Sequence, residues 1–170
     1  MGRAVALAIL LSGCGYRIVR PELPATAGGC VVFDGLDGGG SYPAVAALAS
    51  AELRAHIAPD LCPSKGTGSI LTGEVDAVEQ AAAHLAVGEA GPVRSGGRWL
   101  ARATVRIERG GLVVWGPLSV EVERDFLTTG SALAEGEALD AHLELLAGDL
   151  ARAIADLLHG VHPITVEASP

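Results

Sequence analysis

Residues 98–124 read RWLARATVRIERGGLVVWGPLSVEVER and contain the clearest pattern in the chain. Apolar side chains recur at every second position over residues 99–107, and the positions between them are mainly charged or polar. A period of two predicts a β-strand with one buried and one exposed face. Gly110-Gly111 predicts a hairpin turn, and residues 112–124 repeat the alternation as the returning strand. Gly116-Pro117 predicts a bulge in that strand.

The sequence before this hairpin predicts a strand, a helix and a second strand. Residues 30–33 form a short apolar run typical of a buried strand, and a glycine-rich turn follows over residues 34–42. Apolar spacings of three and four predict an amphipathic helix over residues 43–57. Residues 70–78 alternate as a half-exposed strand. Residues 81–97 contain five glycines or prolines and no firm period, so we expect a long loop there.

The last element is a long helix with a stripe of large apolar side chains. Ser131 is its expected cap and Gly160 its expected end. Its stripe consists of Leu139, Leu143, Leu146, Leu150, Ile154 and Leu157. Two helices on one face of a four-stranded sheet would bury every apolar face. We therefore predict an α+β fold, with two helices packed on one face of a four-stranded, mainly antiparallel sheet, in a single domain over residues 30–160.

The N-terminus has the layout of a bacterial lipoprotein signal. Arg3 and a short apolar run precede Leu11-Ser12-Gly13-Cys14, a lipobox with small residues before a cysteine. We expect a signal peptide over residues 1–13, cleavage before Cys14 and acylation of that cysteine. An ordinary signal or a misplaced start codon is the alternative. A tether over residues 14–29 and a tail over residues 161–170 complete the predicted organisation.

Charge and composition exclude several functional classes. The chain of 170 residues has a net charge of −8, which disfavours nucleic acid as a partner because nucleic-acid binding needs a basic surface. The glycine-rich turn after residues 30–33 lacks a phosphate-binding motif and a nearby lysine. His159 and His162 lack a third metal ligand. No catalytic constellation is evident, so we expect no enzyme activity and no cofactor.

Two further sets of residues are candidates for specific roles. Cys30 and Cys62 remain as a pair once Cys14 carries lipid, and export to an oxidising compartment favours a disulfide between them. Two buried free thiols are the alternative.

Arg98, Arg102 and Arg106 share the exposed face of one predicted strand. They are candidates for contact with anionic sugar or phosphate groups, whereas the alternative is cross-strand pairing with Glu121 and Glu123.

The chain resembles the LptE type of lipopolysaccharide-assembly lipoprotein over most of residues 13–159. The resemblance begins with Gly13-Cys14-Gly15-Tyr16-Arg17. It continues in the same order through Val-Val-Phe (31–33), Ile-Leu-Thr-Gly-Glu-Val (70–75), Ala-Thr-Val-Arg (103–106) and Val-Glu-Arg-Asp-Phe-Leu (122–127) before a long terminal helix. The family's fold, two helices on a four-stranded sheet, agrees with the prediction above.

The resemblance implies a specific function. Members of this family are lipid-anchored at the periplasmic face of the outer membrane, where they plug and help to assemble the LptD β-barrel and bind lipopolysaccharide without acting as enzymes. Gly15 rather than Asp after Cys14 agrees with sorting to the outer membrane. The alternative is an accessory lipoprotein of another envelope machine, such as a lipid-transport ABC system or a secretin. No lipid-contact residue of the family is matched here, so the role of the arginines is our own inference from the strand pattern.

Overall fold

The computed structural model describes the chain over residues 23–63, 68–88, 91–128 and 132–161. The predicted signal peptide, Cys14 and the predicted tail after residue 161 lie outside the described residues. In chain order the elements are β1 (Val31–Asp37), α1 (Pro43–His56), β2 (Ser69–Gly88), β3 (Gly91–Arg109), β4 (Leu112–Thr128) and α2 (Ala132–Leu158). Short 3-10 turns lie at Ala25–Ala27 and Ala58–Asp60.

The four strands form one sheet in the order β1-β2-β3-β4. β1 and β2 are parallel, and the other two neighbouring pairs are antiparallel. α1 lies in the crossover connection that a parallel pair requires. α1 packs against β1, α2 packs against β3 and β4, and the two helices pack against each other. The predicted α+β class with a mainly antiparallel four-stranded sheet is confirmed.

The core lies between the helices and one face of the sheet. Alternate side chains of β3 are buried, and Arg102 and Arg106 between them are exposed. The fully buried members on β3 are Ala101, Ala103, Val105 and Ile107, and those on α2 include Leu146, Leu150, Ile154 and Leu158. Burial of a leucine or isoleucine contributes about 1.5–3 kcal/mol, so this one-sided layer accounts for the position of both helices.

Gly73 of β2 is required by close packing inside this core. A Cβ atom at Gly73 would lie 2.7 Å from Cδ2 of Leu36 and 2.9 Å from Cγ1 of Val105. Both distances are shorter than real Cβ contacts, so any larger side chain would force the neighbouring strands to shift. The glycine therefore lets β1 and β3 side chains meet over β2.

The long loop predicted over residues 81–97 is wrong. β2 continues to Gly88 and β3 begins at Gly91, and their register pairs Ala81 with Arg98 before the hairpin closes. Three register shifts interrupt the pairing of the two strands. Alanine and glycine conceal the alternation in this stretch, whereas pairing of the two strands with each other stabilises the extended backbone whatever the local propensity.

β1 also extends beyond its predicted end. It continues to Asp37, with an irregularity between Phe33 and Leu36 at which Gly35 adopts a φ of 137°. The backbone N–H of Leu36 donates a hydrogen bond of 2.7 Å to Oγ of Ser50 in α1. This bond connects the end of β1 to the helix that follows it.

The hairpin between β3 and β4 has the predicted features. Gly110 and Gly111 have positive φ values of 59° and 80°, as a tight hairpin turn requires. Val105 pairs with Leu118 and Ile107 pairs with Trp115, so two residues of β4, Gly116-Pro117, lie opposite one residue of β3. The predicted bulge is therefore confirmed.

α2 ends as predicted near Gly160. The N–H of Gly160 donates to the carbonyl of Leu157, and the N–H of Val161 donates to the carbonyl of Asp156. Gly160 has a φ of 70°. These features define a Schellman motif, which satisfies the last carbonyl groups of a helix. Ser131, the predicted cap at the other end, lies outside the described residues.

A disulfide and residues before β1 attach the start of the domain to its core. Cys30 is bonded to Cys62, as the sequence favoured, and their Cα atoms are 5.0 Å apart. Ala27, in the predicted tether, is 1% exposed, and its carbonyl accepts a hydrogen bond of 2.9 Å from Oγ of Ser69. Leu23 also packs against the core. The described end of the tether therefore packs as part of the domain.

Candidate functional site on the exposed sheet face

The face of the sheet opposite the helices contains the three arginines singled out from the sequence. Arg98, Arg102 and Arg106 lie four residues apart on β3, and the period of two places all three side chains on this face. Their side chains are 44%, 47% and 49% exposed. The structure thus brings the candidate residues into one row that is open to solvent.

Carboxylates of β4 pair with two of these arginines. Nε and Nη2 of Arg102 donate to Oε2 of Glu121 at 3.0 Å and 2.6 Å. Arg98 donates from Nη1 to Glu123 at 2.6 Å and from Nε to Asp125 at 2.8 Å. The cross-strand pairing that the sequence left as an alternative is therefore present. Asp125 was missed as a partner because the returning strand was predicted to end at residue 124.

Arg106 has a partner on its own strand. Its Nε donates to Oε1 of Glu108 at 2.6 Å. Gly116-Pro117 lies opposite Arg106, and neither bulge residue has a polar side chain that could accept a hydrogen bond. The bulge therefore explains why this arginine departs from the cross-strand pattern of the other two.

The paired carboxylates raise the pKa values of Arg98 and Arg102 above the ordinary value for arginine. For Arg98, the main cause is the hydrogen bond to Asp125, followed by the negative charges of Asp125 and Glu123. For Arg102, the main causes are the hydrogen bond to Glu121 and then the charge of Glu121. Because the ordinary pKa of arginine already lies far above physiological pH, both guanidinium groups stay positively charged at any physiological pH.

A polar depression of about 420 Å³ opens on the same face beside the arginine row. Its lining comprises Gly35, Asp37, Thr72, Gly73, Glu74, Asp76, Thr104 and Arg106. Oγ1 of Thr104 donates to Oδ2 of Asp76 at 2.7 Å and lies 3.3 Å from Oγ of Ser119. Polar contacts therefore cross the sheet from β2 to β4, with an acidic side on β2 and the arginines on β3.

The other residues considered from the sequence are not brought to this face. Cys30 and Cys62 form the disulfide at the start of β1. Nε2 of His159 lies 3.0 Å from Oδ2 of Asp60, which connects the end of α2 to the 3-10 turn after α1. His162 lies outside the described residues. No local pattern indicates the contact between His159 and Asp60, because it depends on how the two helices pack.

Within residues 23–63, 68–88, 91–128 and 132–161, no group of three or more histidine, cysteine, aspartate or glutamate side chains is placed to hold a metal ion. None of the helices in that part of the chain is long and apolar enough to cross a membrane.

The described chain is thus an α+β domain with an uncovered polar sheet face, and a solved structure with a TM-score above 0.5 shares its α+β fold. A protein from Caulobacter crescentus described as a lipoprotein superposes with a TM-score of 0.51 at 16% identity, over 76% of this chain and 88% of its own. Rare lipoprotein B from Shewanella oneidensis gives a TM-score of 0.49 at 16% identity, over 76% and 93% of the two chains. A minor lipoprotein from Acinetobacter baumannii gives 0.48 at 13% identity, over 78% and 92%.

These likenesses concern the fold. At 16% identity the Caulobacter structure shows that its protein and this chain share an architecture. No protein-family model matches the chain. No curated protein sequence matches it.

Proposed function

We propose that this chain is a lipid-anchored lipoprotein at the periplasmic face of the outer membrane, where it plugs and helps to assemble the β-barrel that exports lipopolysaccharide. The observation that carries the proposal is the exposed sheet face with its row of Arg98, Arg102 and Arg106. The LptE-type resemblance and the fold shared with a Caulobacter protein described as a lipoprotein support the same class. A barrel of the LptD type is the proposed partner.

The chemistry of the face suits the inside of a barrel. The lumen of an outer-membrane barrel is polar and offers hydrogen bonds and charges. Ion pairs between exposed side chains contribute little to stability, so the pair between Arg102 and Glu121 can rearrange at small cost when a partner approaches. The backbone of the sheet therefore stays in place, while its exposed polar side chains can replace a contact within the sheet by a contact with the barrel.

We also propose that the arginines contact lipopolysaccharide. Guanidinium groups bind phosphate through two parallel hydrogen bonds. Arg102 now directs both Nε and Nη2 to Glu121, so a phosphate that displaced this carboxylate would meet two donors already side by side. The chain as a whole carries a charge of −8, and binding of an anionic lipid would therefore depend on this local row. This role is one of binding, and we propose no catalytic activity.

The anchor in this proposal is a diacylglyceryl group on Cys14 of the lipobox. We expect Cys14→Ala to leave the protein unprocessed or released from the membrane, because the lipid on this cysteine is its proposed anchor. Mass spectrometry of the mature N-terminus, together with membrane fractionation, tests this step. A wild-type protein without acyl mass would contradict it.

The barrel partnership is tested with a double charge reversal. We expect Arg102→Glu with Arg106→Glu to weaken recovery of the barrel and of lipopolysaccharide in a pull-down, with little change in the circular dichroism melt. The matched control is Arg54→Glu with Arg152→Glu, which makes the same change in charge at exposed positions on the helices. If both double variants recover equal amounts of the barrel and of lipopolysaccharide, Arg102 and Arg106 serve only to keep the sheet face in contact with water. Recovery of a secretin or of ABC-transport components would indicate another envelope machine.

A further inference from the structure

The exposed sheet face changes from charged to apolar at one end. The strand register places Val32, Ile70, Glu108 and Val113 side by side across the four strands. Ile70 is 46% exposed and Val113 is 49% exposed, and Leu112 beside the hairpin turn is 72% exposed. Leu112 pairs with Arg109 and borders this row at the hairpin turn. We call Val32, Ile70 and Val113 the apolar end of the face.

The apolar end is not an extension of the core. The chain neighbours of Ile70 and Glu108 on the opposite face, Leu71 and Ile107, are the residues that fill the core, at 1% and 0% exposure. Val32 and Ile70 are adjacent on this polar face, and Val113 lies on the other side of Glu108. Single exposed apolar side chains are ordinary, whereas such a group is a candidate for contact with another apolar surface. Glu108, the one charged residue in the row, is paired with Arg106.

The N-terminal part of the chain enters the domain at this same end. Oγ of Ser69, the residue before Ile70, donates to the carbonyl of Ala27. The backbone at Gly28 borders the guanidinium of Arg109, the residue after Glu108. The 3-10 turn at Ala25–Ala27 also contacts β4. The described chain therefore begins beside the apolar end.

The distance from there to the proposed lipid is short. Leu23 lies nine positions after Cys14, and an extended chain of that length spans about 30 Å at most. A lipid on Cys14 would therefore keep the apolar end within that distance of the bilayer and at a high local concentration. The opposite end of the sheet, at the turn between β2 and β3, lies more than 15 residues further along β2, or roughly 50 Å.

We propose that the apolar end rests on the surface of the bilayer, with Ile70 and Val113 at the boundary between headgroups and acyl chains. This inference rests on the lipid anchor of the proposed function. With a chain charge of −8 and Glu108 paired to Arg106, the attraction is apolar rather than electrostatic, so an uncharged phosphatidylcholine surface is sufficient. The contact holds this end of the sheet at the bilayer, and the arginine row follows from it along β3, with Arg106 nearest to the apolar end and Arg98 farthest from it.

Spin labels on the acylated full-length protein in phosphatidylcholine vesicles test this arrangement. Single cysteines replace Val113, Ile70 or Ser119, and the native cysteines are unavailable to label because Cys14 is acylated and Cys30 is bonded to Cys62. If Val113 and Ile70 lie in the bilayer surface, labels at these two positions collide more often with oxygen and less often with a water-soluble nickel chelate than a label at Ser119 does. Ser119 is the matched control on the same face, further from the apolar end, and its label is expected to stay in water. Melts of the three variants confirm that they fold.

Each outcome decides the proposal. Protection at Val113 and Ile70 together with full access at Ser119 supports it. Equal access at all three positions in acylated protein overturns it and leaves the anchor in place. Absence of acyl mass on Cys14 overturns the anchor and the membrane contact together. Protection at Val113 only after a barrel protein is added to the vesicles overturns the membrane contact in favour of a protein interface.

Discussion

Arg124 of β4 donates a hydrogen bond from Nη1 to Oδ2 of Asp149 in α2, across the helix-covered face of the sheet. Their side chains are 33% and 31% exposed, so the pair lies at the edge of the core. Arg124 faces the helices because it pairs in register with Trp99, whose side chain packs against the core. This contact fixes the long helix over the edge strand and leaves the opposite face free.

Loss of this contact should destabilise the domain measurably. We expect Asp149→Ala to lower the free energy of unfolding by about 1 kcal/mol, because a partly buried guanidinium loses its carboxylate. A double-mutant cycle with Arg124→Ala in urea unfolding measures the coupling. The same cycle on the exposed pair Arg102 and Glu121, whose side chains are 47% and 44% exposed, is the control and should give a smaller coupling energy. Equal coupling at both pairs would mean that Asp149 does not position α2.

The core between α2 and the sheet provides a second prediction. Leu150 is 0% exposed, and Leu150→Ala should cost about 2–5 kcal/mol because it removes buried methyl groups and leaves a cavity. Leu145 is 49% exposed on the same helix, and Leu145→Ala should change stability by less than about 0.5 kcal/mol. Denaturant midpoints of the two variants give the comparison. Similar losses at both positions would contradict the assigned helix face.

The disulfide should contribute through the unfolded state. Cys30 and Cys62 are 32 positions apart, and closure of a loop of that length stabilises the folded chain by about 3–4 kcal/mol in the chain-entropy model. We expect Cys30→Ser with Cys62→Ser to lower the urea midpoint accordingly. Non-reducing peptide mapping of the wild-type protein should find the linked pair. Two freely alkylatable thiols in unreduced native protein would contradict the bond.

An exchange of charges separates a structural role of Arg102 from a binding role. Arg102→Glu alone places a carboxylate opposite Glu121 and should lower the melting temperature slightly through like-charge repulsion. Arg102→Glu with Glu121→Arg restores an ion pair of reversed direction, and we expect it to restore the melt. Binding of lipopolysaccharide should stay reduced in the exchanged variant, because the positive charge has moved to the other strand. If the exchanged variant recovers both the melting temperature and lipopolysaccharide binding, the ion pair is sufficient for both, and the position of the positive charge has no effect on binding.

The alternation of residues 98–124 was sufficient to predict the hairpin, its bulge and the face that carries the arginines, because a period of two fixes side-chain direction. It also predicted the partners Glu121 and Glu123, which lie on the facing strand. The strands over residues 81–97 were missed since their alanines and glycines carry little periodic signal and their stability comes from pairing with each other. The contact between Arg124 and Asp149 depends on where a helix crosses a strand, which local pattern does not determine.

The apolar end of the sheet face is also a feature that local sequence pattern does not determine. Ile70 and Val113 each fit an alternating strand on their own, and nothing local marks them as neighbours of one row. Register brings them to the two sides of Glu108, and the turn at Ala25–Ala27 brings the start of the domain to the same place. The sequence therefore predicted the faces of the sheet, whereas the row at its end required the three-dimensional pairing.

The central claim is that the exposed sheet face contacts the lipopolysaccharide-export barrel. A photo-crosslinking amino acid in place of Ser119, an exposed residue in contact distance of Thr104, tests it most directly in intact cells that produce acylated protein. The account predicts an adduct with a large outer-membrane β-barrel of the LptD type, identified by mass spectrometry, that is lost when Arg102→Glu and Arg106→Glu are added. Adducts only with other envelope proteins, or no adduct from protein that is acylated and folded, would contradict it.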